Sequence, residues 1–340
     1  MEQLDGLKGL LESPKKIVIT THQKPDADAL GSSLGLRGYL KKLNHEVKVI
    51  TPTDYPQFIQ WMSGNEDVLV YDKTKTHDTA EAYFLAADII FCLDFSELKR
   101  VEPLDEMVRK SKAKVVLIDH HHGYDGFADF SLWNVNAAAT AELIYQFINI
   151  MGHRHLIDVP SAECIYAGIV TDTGSFKFES TSSKLHREVA DLIDLGVQPN
   201  KIQRLIYDNN TENRLRFLGY ALQNKLQILW QYRTAYFIIN QEEQHKFSTQ
   251  TGDTEGLVNY ALSLAGIRMA TILIEKPDKT VKMSFRSFGN LAVNEIARLH
   301  FEGGGHRNAA GGRSAKDLLA TEQEFLRVLE LHKEELIREG

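Results

Sequence analysis

Thr21-His22-Gln23-Lys24-Pro25-Asp26-Ala27-Asp28-Ala29-Leu30-Gly31-Ser32 places one imidazole and two carboxylates within a single tight turn. Before it runs Lys16-Ile17-Val18-Ile19-Thr20, a β-branched apolar run of the kind that forms a buried parallel strand. After it, Leu30, Leu34, Leu36, Leu40 and Leu43 recur at helical spacing, so the stretch reads as a strand-to-helix turn. Open α/β sheets bind ligands where such turns leave the carboxyl ends of their strands. A His and two Asp at that edge suit a hard or borderline divalent cation. The same residues also read as a helix cap, with Asp26 or Asp28 facing the free N–H groups of the first turn.

Working outward, His45–Ile50 reads as a second strand, followed by a Pro-containing loop from Thr51 to Pro56, and Asp67–Tyr71 as a further short one. Ala87–Leu93 is a buried run ending at Asp94, and Lys114–Ile118 ends at Asp119-His120-His121-His122-Gly123. Three apolar strands therefore terminate in Asp or His. A lone charge after a strand is commonly a solvated loop residue. Parallel strands joined by helical crossovers, however, align their carboxyl ends along one edge, where distant residues converge. Thr140–Ile148 and Pro160–Thr171 read as helices, the latter leading into Asp172-Thr173-Gly174. Ser182–Asp194 and Asn200–Gln223 read as further, more charged helices.

From Lys225 the pattern shifts to shorter strands, Leu226–Tyr232 and Ala235–Asn240, and a hairpin of Arg268–Glu275 with Thr280–Phe285. A helix over Leu291–His300 leads into Gly303-Gly304-Gly305-His306, and a long helix over Lys316–Arg338 closes the pattern. The expected organisation is α/β: a parallel-sheet domain over 1–195, a helical connector over 196–224, and a smaller mixed α/β domain over 225–340. A cleft between two such lobes is the expected active site, with the helices around Gln198–Gln223 as the hinge.

Bulk properties narrow the function. At 340 residues, two domains are the natural division. A net charge of −7 argues against broad binding to long duplex DNA or anionic lipid, but leaves room for a nucleotide in a local basic pocket. Cys92 and Cys164 form no disulfide framework and fit a reducing, cytoplasmic setting. No long apolar run suggests a membrane span, and residues 1–15 read as a short amphipathic helix rather than a signal peptide.

The set His22, Asp26, Asp28, Asp94, Asp119-His120-His121 and Asp172 resembles the DHH phosphoesterase superfamily, and the Gly303–His306 segment resembles its DHH-associated C-terminal domain. Order and spacing agree from residue 16 to about 315, and the plan is most similar to the NrnA-type nanoRNases. The resemblance implies two manganese ions, with magnesium or cobalt as substitutes. His22, Asp26 and Asp94 would hold one, and Asp28, Asp94, His120 and Asp172 the other. It also implies that Asp119 fixes an imidazole tautomer and that His121 meets the phosphate or leaving oxygen. His122 is additional here and reads as a loop residue.

By the same resemblance, the second lobe selects substrate. Gly303, Gly304 and Gly305 would let backbone N–H groups approach a phosphate, with Arg268 nearby and Arg286 placed to clamp it; His306 reads either as a base contact or as a surface residue. The implied activity is hydrolysis of short single-stranded RNA, such as pApA, and of 3′-phosphoadenosine 5′-phosphate by metal-activated water. Alternatives are an exopolyphosphatase or pyrophosphatase of the same superfamily, or a non-catalytic nucleotide-binding module. A RecJ-like nuclease fits less well, since no further nucleic-acid domain follows residue 340. Preferred nucleotide, polarity and oligomeric state are open, a homodimer included.

Overall fold

The structure, a computed structural model, describes every residue except Met1, Thr251, Glu339 and Gly340. The ends of the expected first and last domains therefore lie outside the described residues. The chain divides into two compact units between Asn209 and Asn210. That division falls inside the stretch expected as a connector.

The first unit runs α1 (Glu2–Leu10), β1 (Lys16–Thr21), α2 (Ala27–Lys42), β2 (Glu46–Thr51), β3 (Leu69–Val70), α3 (His77–Ala86) and β4 (Ile89–Leu93). It continues through α4 (Asp105–Lys110), β5 (Lys114–Asp119), β6 (Phe130–Trp133), α5 (Thr140–Ile150), α6 (Val159–Asp172), α7 (Ser183–Asp194) and α8 (Pro199–Tyr207). Its six strands form one parallel sheet in the order β3-β2-β1-β4-β5-β6. Side chains alternate across that sheet as strand geometry requires. Ile17, Ile19, Phe91, Leu93, Val116 and Ile118 pack toward α2, α5 and α6. Val18, Ile90, Cys92 and Leu117 pack toward α3 and α4. With both faces covered, the strands carry the near-continuous apolar runs that made them readable.

Strand order positions the site. The chain leaves β1 toward β2 and β3, then crosses back to β4 on the other side of β1. The crevice between the carboxyl ends of β1 and β4 is thus a topological switch point. β6 was not anticipated: Phe130-Ser131-Leu132-Trp133 is too short to stand out, and only its register beside β5 makes it a strand.

The second unit contains α9 (Glu212–Asn224), β7 (Leu226–Leu229), β8 (Thr234–Ile239), α10 (Gln241–Lys246), α11 (Leu257–Leu262), β9 (Met269–Glu275) and β10 (Val281–Ser287). α12 (Val293–His300), β11 (Gly304–His306), β12 (Ala309–Ser314), α13 (Leu318–Leu331) and α14 (Lys333–Ile337) complete it. Its sheet has the order β11-β12-β10-β9-β8-β7 and is mixed, since β8 and β9 are parallel while the other pairs are antiparallel.

Two expected helices are divided. The Asn200–Gln223 pattern breaks between α8 and α9, where the Thr211 side chain accepts from Arg214 N–H and starts a new helix. The terminal helix breaks at His332, whose backbone (φ −100°, ψ 14°) leaves the helical region.

Candidate metal centre

β1, buried along its length after Lys16, carries His22 just beyond its carboxyl end. The His22 Nδ1 lies 2.8 Å from the Gln23 carbonyl oxygen, which only accepts, so Nδ1 carries the proton. Nε2 is then the nitrogen presented to Asp94 Oδ2, 3.3 Å away, and to Asp26 Oδ2, 4.0 Å away. Asp26 serves both roles considered from sequence: its Oδ1 caps α2 by accepting from Asp28 and Ala29 N–H, and its Oδ2 faces His22.

β4 delivers Asp94 at φ +66°, a left-handed conformation uncommon outside glycine and concentrated at functional sites. Its two oxygens diverge. Oδ2 faces His22, while Oδ1 lies 3.5 Å from both His120 Nε2 and His121 Nδ1. β5 ends at Asp119, and the next two imidazoles are held differently. His120 Nδ1 is 3.2 Å from the Ala137 carbonyl, so Nε2 points among Asp172 (3.2 Å), Asp94 (3.5 Å) and Asp28 (3.8 Å). His121 Nδ1 instead lies 2.8 Å from Asp119 Oδ1. The Trp133 indole N–H donates to the His121 carbonyl at 2.7 Å and steadies this loop. His122 is exposed.

Helices complete the centre. A Cβ on Gly168 would sit 2.7 Å from Asp28 Oδ1 and from the Ala141 Cβ, so only glycine lets α6 lie this close to α2 and α5. α6 then ends at Asp172, followed by Gly174, Ser175 and Phe176, all at positive φ. Sequence reasoning missed Thr140, the first residue of α5, whose hydroxyl donates to Asp94 Oδ1 at 2.9 Å. The signal was Ala137-Ala138-Ala139, a helix start with no capping side chain of its own.

The donor set fits a pair of divalent cations. His22, Asp26 and Asp94 offer ligand atoms within 4.8 Å of one another, as do Asp28, Asp94 and His120. Both imidazoles have Nδ1 tied to a carbonyl, which fixes the tautomer that ligation through Nε2 requires. All six side chains, Asp172 included, come from the first unit.

Charge in this pocket is strongly biased. Burial works against a charged His22, but its bond to Asp94 and the charge of Asp26 outweigh it, and its pKa is raised. Burial likewise opposes charge on His120, yet Asp172 and Asp94 raise it well above the imidazole range. Asp28 lies well above the carboxylate range through burial and then the charges of Asp94 and Asp172. Asp94 is held well below that range: burial opposes its charge, but the bonds from His120 and His22 prevail.

Ligation needs neutral imidazoles and ionised carboxylates, whereas the raised pKa of His22, His120 and Asp28 favours their protonated forms. Metal affinity is therefore expected to rise with pH, with protons released on binding. Calorimetric titration in two buffers of different ionisation heat measures that release; identical heats in both would contradict it.

In the second unit, Arg268 directs its Nη1 to the carbonyls of Glu335, Leu336 and Arg338 at the end of α14. Arg286 lies on β10, with Nη1 donating to the Phe285 carbonyl at 3.0 Å. A Cβ on Gly303 would lie 2.1 Å from the Gly311 oxygen, and one on Gly305, at φ +136°, 2.6 Å from the Ala309 oxygen. The β11–β12 hairpin itself demands those two glycines. Gly304 has open space where its Cβ would be, and His306 closes β11 opposite Ala309.

Among the described residues no helix is long and apolar enough to cross a membrane. The chain matches the family model for the N-terminal domain of the DHH family over residues 16–169 and the DHHA1 domain over 232–335. It is similar to the bifunctional oligoribonuclease and PAP phosphatase NrnA of Bacillus subtilis, 28% identical over 87% of this chain and 88% of that one. The protein of the same name from Thermus thermophilus is 29% identical over 95% and 91%. A crystal structure of an exopolyphosphatase-related protein from Bacteroides fragilis superposes with a TM-score of 0.94 at 35% identity, covering 99% of this chain and 98% of that one. With both units matched and that likeness running nearly end to end, the chain belongs to the DHH family.

Proposed function

We propose that this protein is a two-metal phosphoesterase that hydrolyses short RNA oligonucleotides, pApA among them, and 3′-phosphoadenosine 5′-phosphate. The observation that carries the reading is the divided Asp94 carboxylate, one oxygen toward His22 and the other toward His120. A shared carboxylate between two imidazole-containing groups is what a pair of cations roughly 3.5–4 Å apart requires. The names of the Bacillus and Thermus relatives supply the substrate classes.

His22, Asp26 and Asp94 would hold one ion, and Asp28, Asp94, His120 and Asp172 the other. Imidazole and carboxylate donors without thiolate favour manganese, with magnesium or cobalt as substitutes. Two such ions, when bound, supply Lewis acidity and lower the pKa of the attacking water. His121 is the residue for the leaving oxygen. Asp119 Oδ1, 2.8 Å from its Nδ1, fixes the ring orientation and leaves Nε2 for the proton that the leaving oxygen takes. A thiol nucleophile does not compete: Cys92 is buried, and burial pushes its pKa up.

For the DHHA1 unit we propose that Arg286, the exposed edge of the Gly303–His306 hairpin and His306 contact substrate. Gly304 separates this role from folding. Gly304→Ala is expected to keep the unfolding midpoint and raise KM for pApA, because the methyl group enters open space where a phosphate would approach. Gly305→Ala is expected to lower the midpoint, since its Cβ meets backbone. Unchanged KM in a folded Gly304→Ala protein would remove the hairpin from the substrate site.

The deciding assay offers pApA, RNA of two to five nucleotides, 3′-phosphoadenosine 5′-phosphate and polyphosphate in parallel to the manganese-loaded protein. Turnover of the nucleotides is expected. Consumption of polyphosphate alone would replace this reading by the one that the name of the Bacteroides relative suggests.

A further inference from the structure

α5 begins without a cap of its own. Its N-cap position is Ala139, in extended conformation and with no side-chain hydrogen bond. The exposed N–H groups of a helix start need acceptors, and here they find one far away in sequence. Thr140 N–H donates to Asp28 Oδ2 at 2.7 Å and Ala141 N–H to Asp28 Oδ1 at 2.8 Å. Asp28 therefore caps α5 across the interface between two helices, with the positive end of the α5 dipole directed at it.

The Thr140 hydroxyl does something else. It is fully buried and does not bond its own helix start; it donates to Asp94 Oδ1 at 2.9 Å. The terminal torsion of an Asp side chain is broad and roughly two-fold, so packing alone orients a carboxylate poorly. Asp94 needs orientation, because its Oδ2 serves the His22 side and its Oδ1 the His120 side. A donor fixed on a helix end defines which oxygen is which.

We infer that Thr140 is a positioning residue of the centre: its hydroxyl locks the plane of the shared Asp94 carboxylate, while the α5 N-terminus locks Asp28. Both carboxylates are thereby aligned before any cation arrives, with Asp94 Oδ1 3.5 Å and Asp28 Oδ2 3.8 Å from His120 Nε2. The inference rests on the two-cation reading but not on the identity of the substrate.

Thr140→Val keeps the shape and removes the donor; Thr140→Ser keeps the donor. Each full-length protein is titrated with manganese, following stoichiometry and affinity by calorimetry and spin coupling between the ions by electron paramagnetic resonance. Thermal unfolding of the metal-free proteins is run alongside. The expected result for Thr140→Val is an affinity loss of about 10–100-fold for at least one ion, the usual effect of removing a hydrogen-bond partner of a ligand. Its spin coupling is expected to weaken while KM for pApA stays near wild type and kcat falls. Thr140→Ser is expected to restore all of these. Should Thr140→Val fail to fold, the comparison of Thr140→Ala with Thr140→Ser reads the same hydroxyl. Wild-type affinity and coupling in the variant lacking the hydroxyl, or no rescue by serine, overturns the inference. A wild-type protein that binds two ions yet hydrolyses no nucleotide overturns the proposed function instead, leaving the role of Thr140 to be judged by the titration.

Discussion

Asp94→Asn is expected to reduce phosphoesterase turnover by about a thousandfold or more, the equivalent of several kcal/mol of lost charge stabilisation in the transition state. The substitution is nearly isosteric, and an amide oxygen still accepts from Thr140, so the fold around α5 is retained. What changes is the second oxygen. Among the described carboxylates Asp94 is the one that faces both imidazoles, with Oδ2 at 3.3 Å from His22 and Oδ1 at 3.5 Å from His120. An NH2 group at either position donates rather than ligates, so the variant is left with at most one competent cation site. The measurements are manganese stoichiometry together with kcat on pApA. Turnover within tenfold of wild type, with two ions bound, would show that Asp94 does not bridge.

Gly31→Ala is expected to destabilise the first unit by about 1 kcal/mol, overpacking outweighing the gain in helix propensity. In a helix interior, glycine to alanine by itself gains about 1 kcal/mol. At Gly31 the new Cβ would lie 2.4 Å from the Cys164 carbonyl oxygen and 3.3 Å from the Gly168 nitrogen, both backbone atoms of α6. Backbone cannot rotate away as a side chain can, so the two helices must separate, and overpacking of this kind typically costs 1–3 kcal/mol. The damage extends to function. Gly31 lies one helical turn beyond Asp28, and Gly168 lies one turn before Asp172. Moving α2 from α6 therefore pulls Asp28 from Asp172 across His120. Denaturant unfolding and manganese titration test the two consequences together. A variant as stable as wild type would mean that the contact relaxes without moving the helices.

These expectations reach beyond what could be read along the chain. His22, Asp94 and Asp119 were legible because each follows an apolar strand, and a strand buried on both faces advertises itself in composition alone. The alternation of strands and helices implied a parallel sheet, and a parallel sheet implied that their carboxyl ends share an edge. β6 escaped notice because a four-residue strand acquires its identity from the neighbour it pairs with. Arg268 bonds to the carbonyls at the end of α14, a helix some seventy residues away that no local pattern announces.

Local periodicity, strand composition and turn chemistry are short-range properties, and from them the sequence by itself determined β1, β2, β4 and β5, the helices α2, α5, α6 and α7, and the residue types at the strand ends. Tertiary structure alone decided how those residues divide the work. His120 and His121 are adjacent and chemically identical, yet one places Nδ1 on a carbonyl and presents Nε2 to three carboxylates, while the other places Nδ1 on Asp119. Thr140 reaches Asp28 and Asp94 across 112 and 46 residues of chain. Contacts of that range depend on strand order and on how closely glycine lets two helices approach, and both are settled only when the whole sheet is assembled.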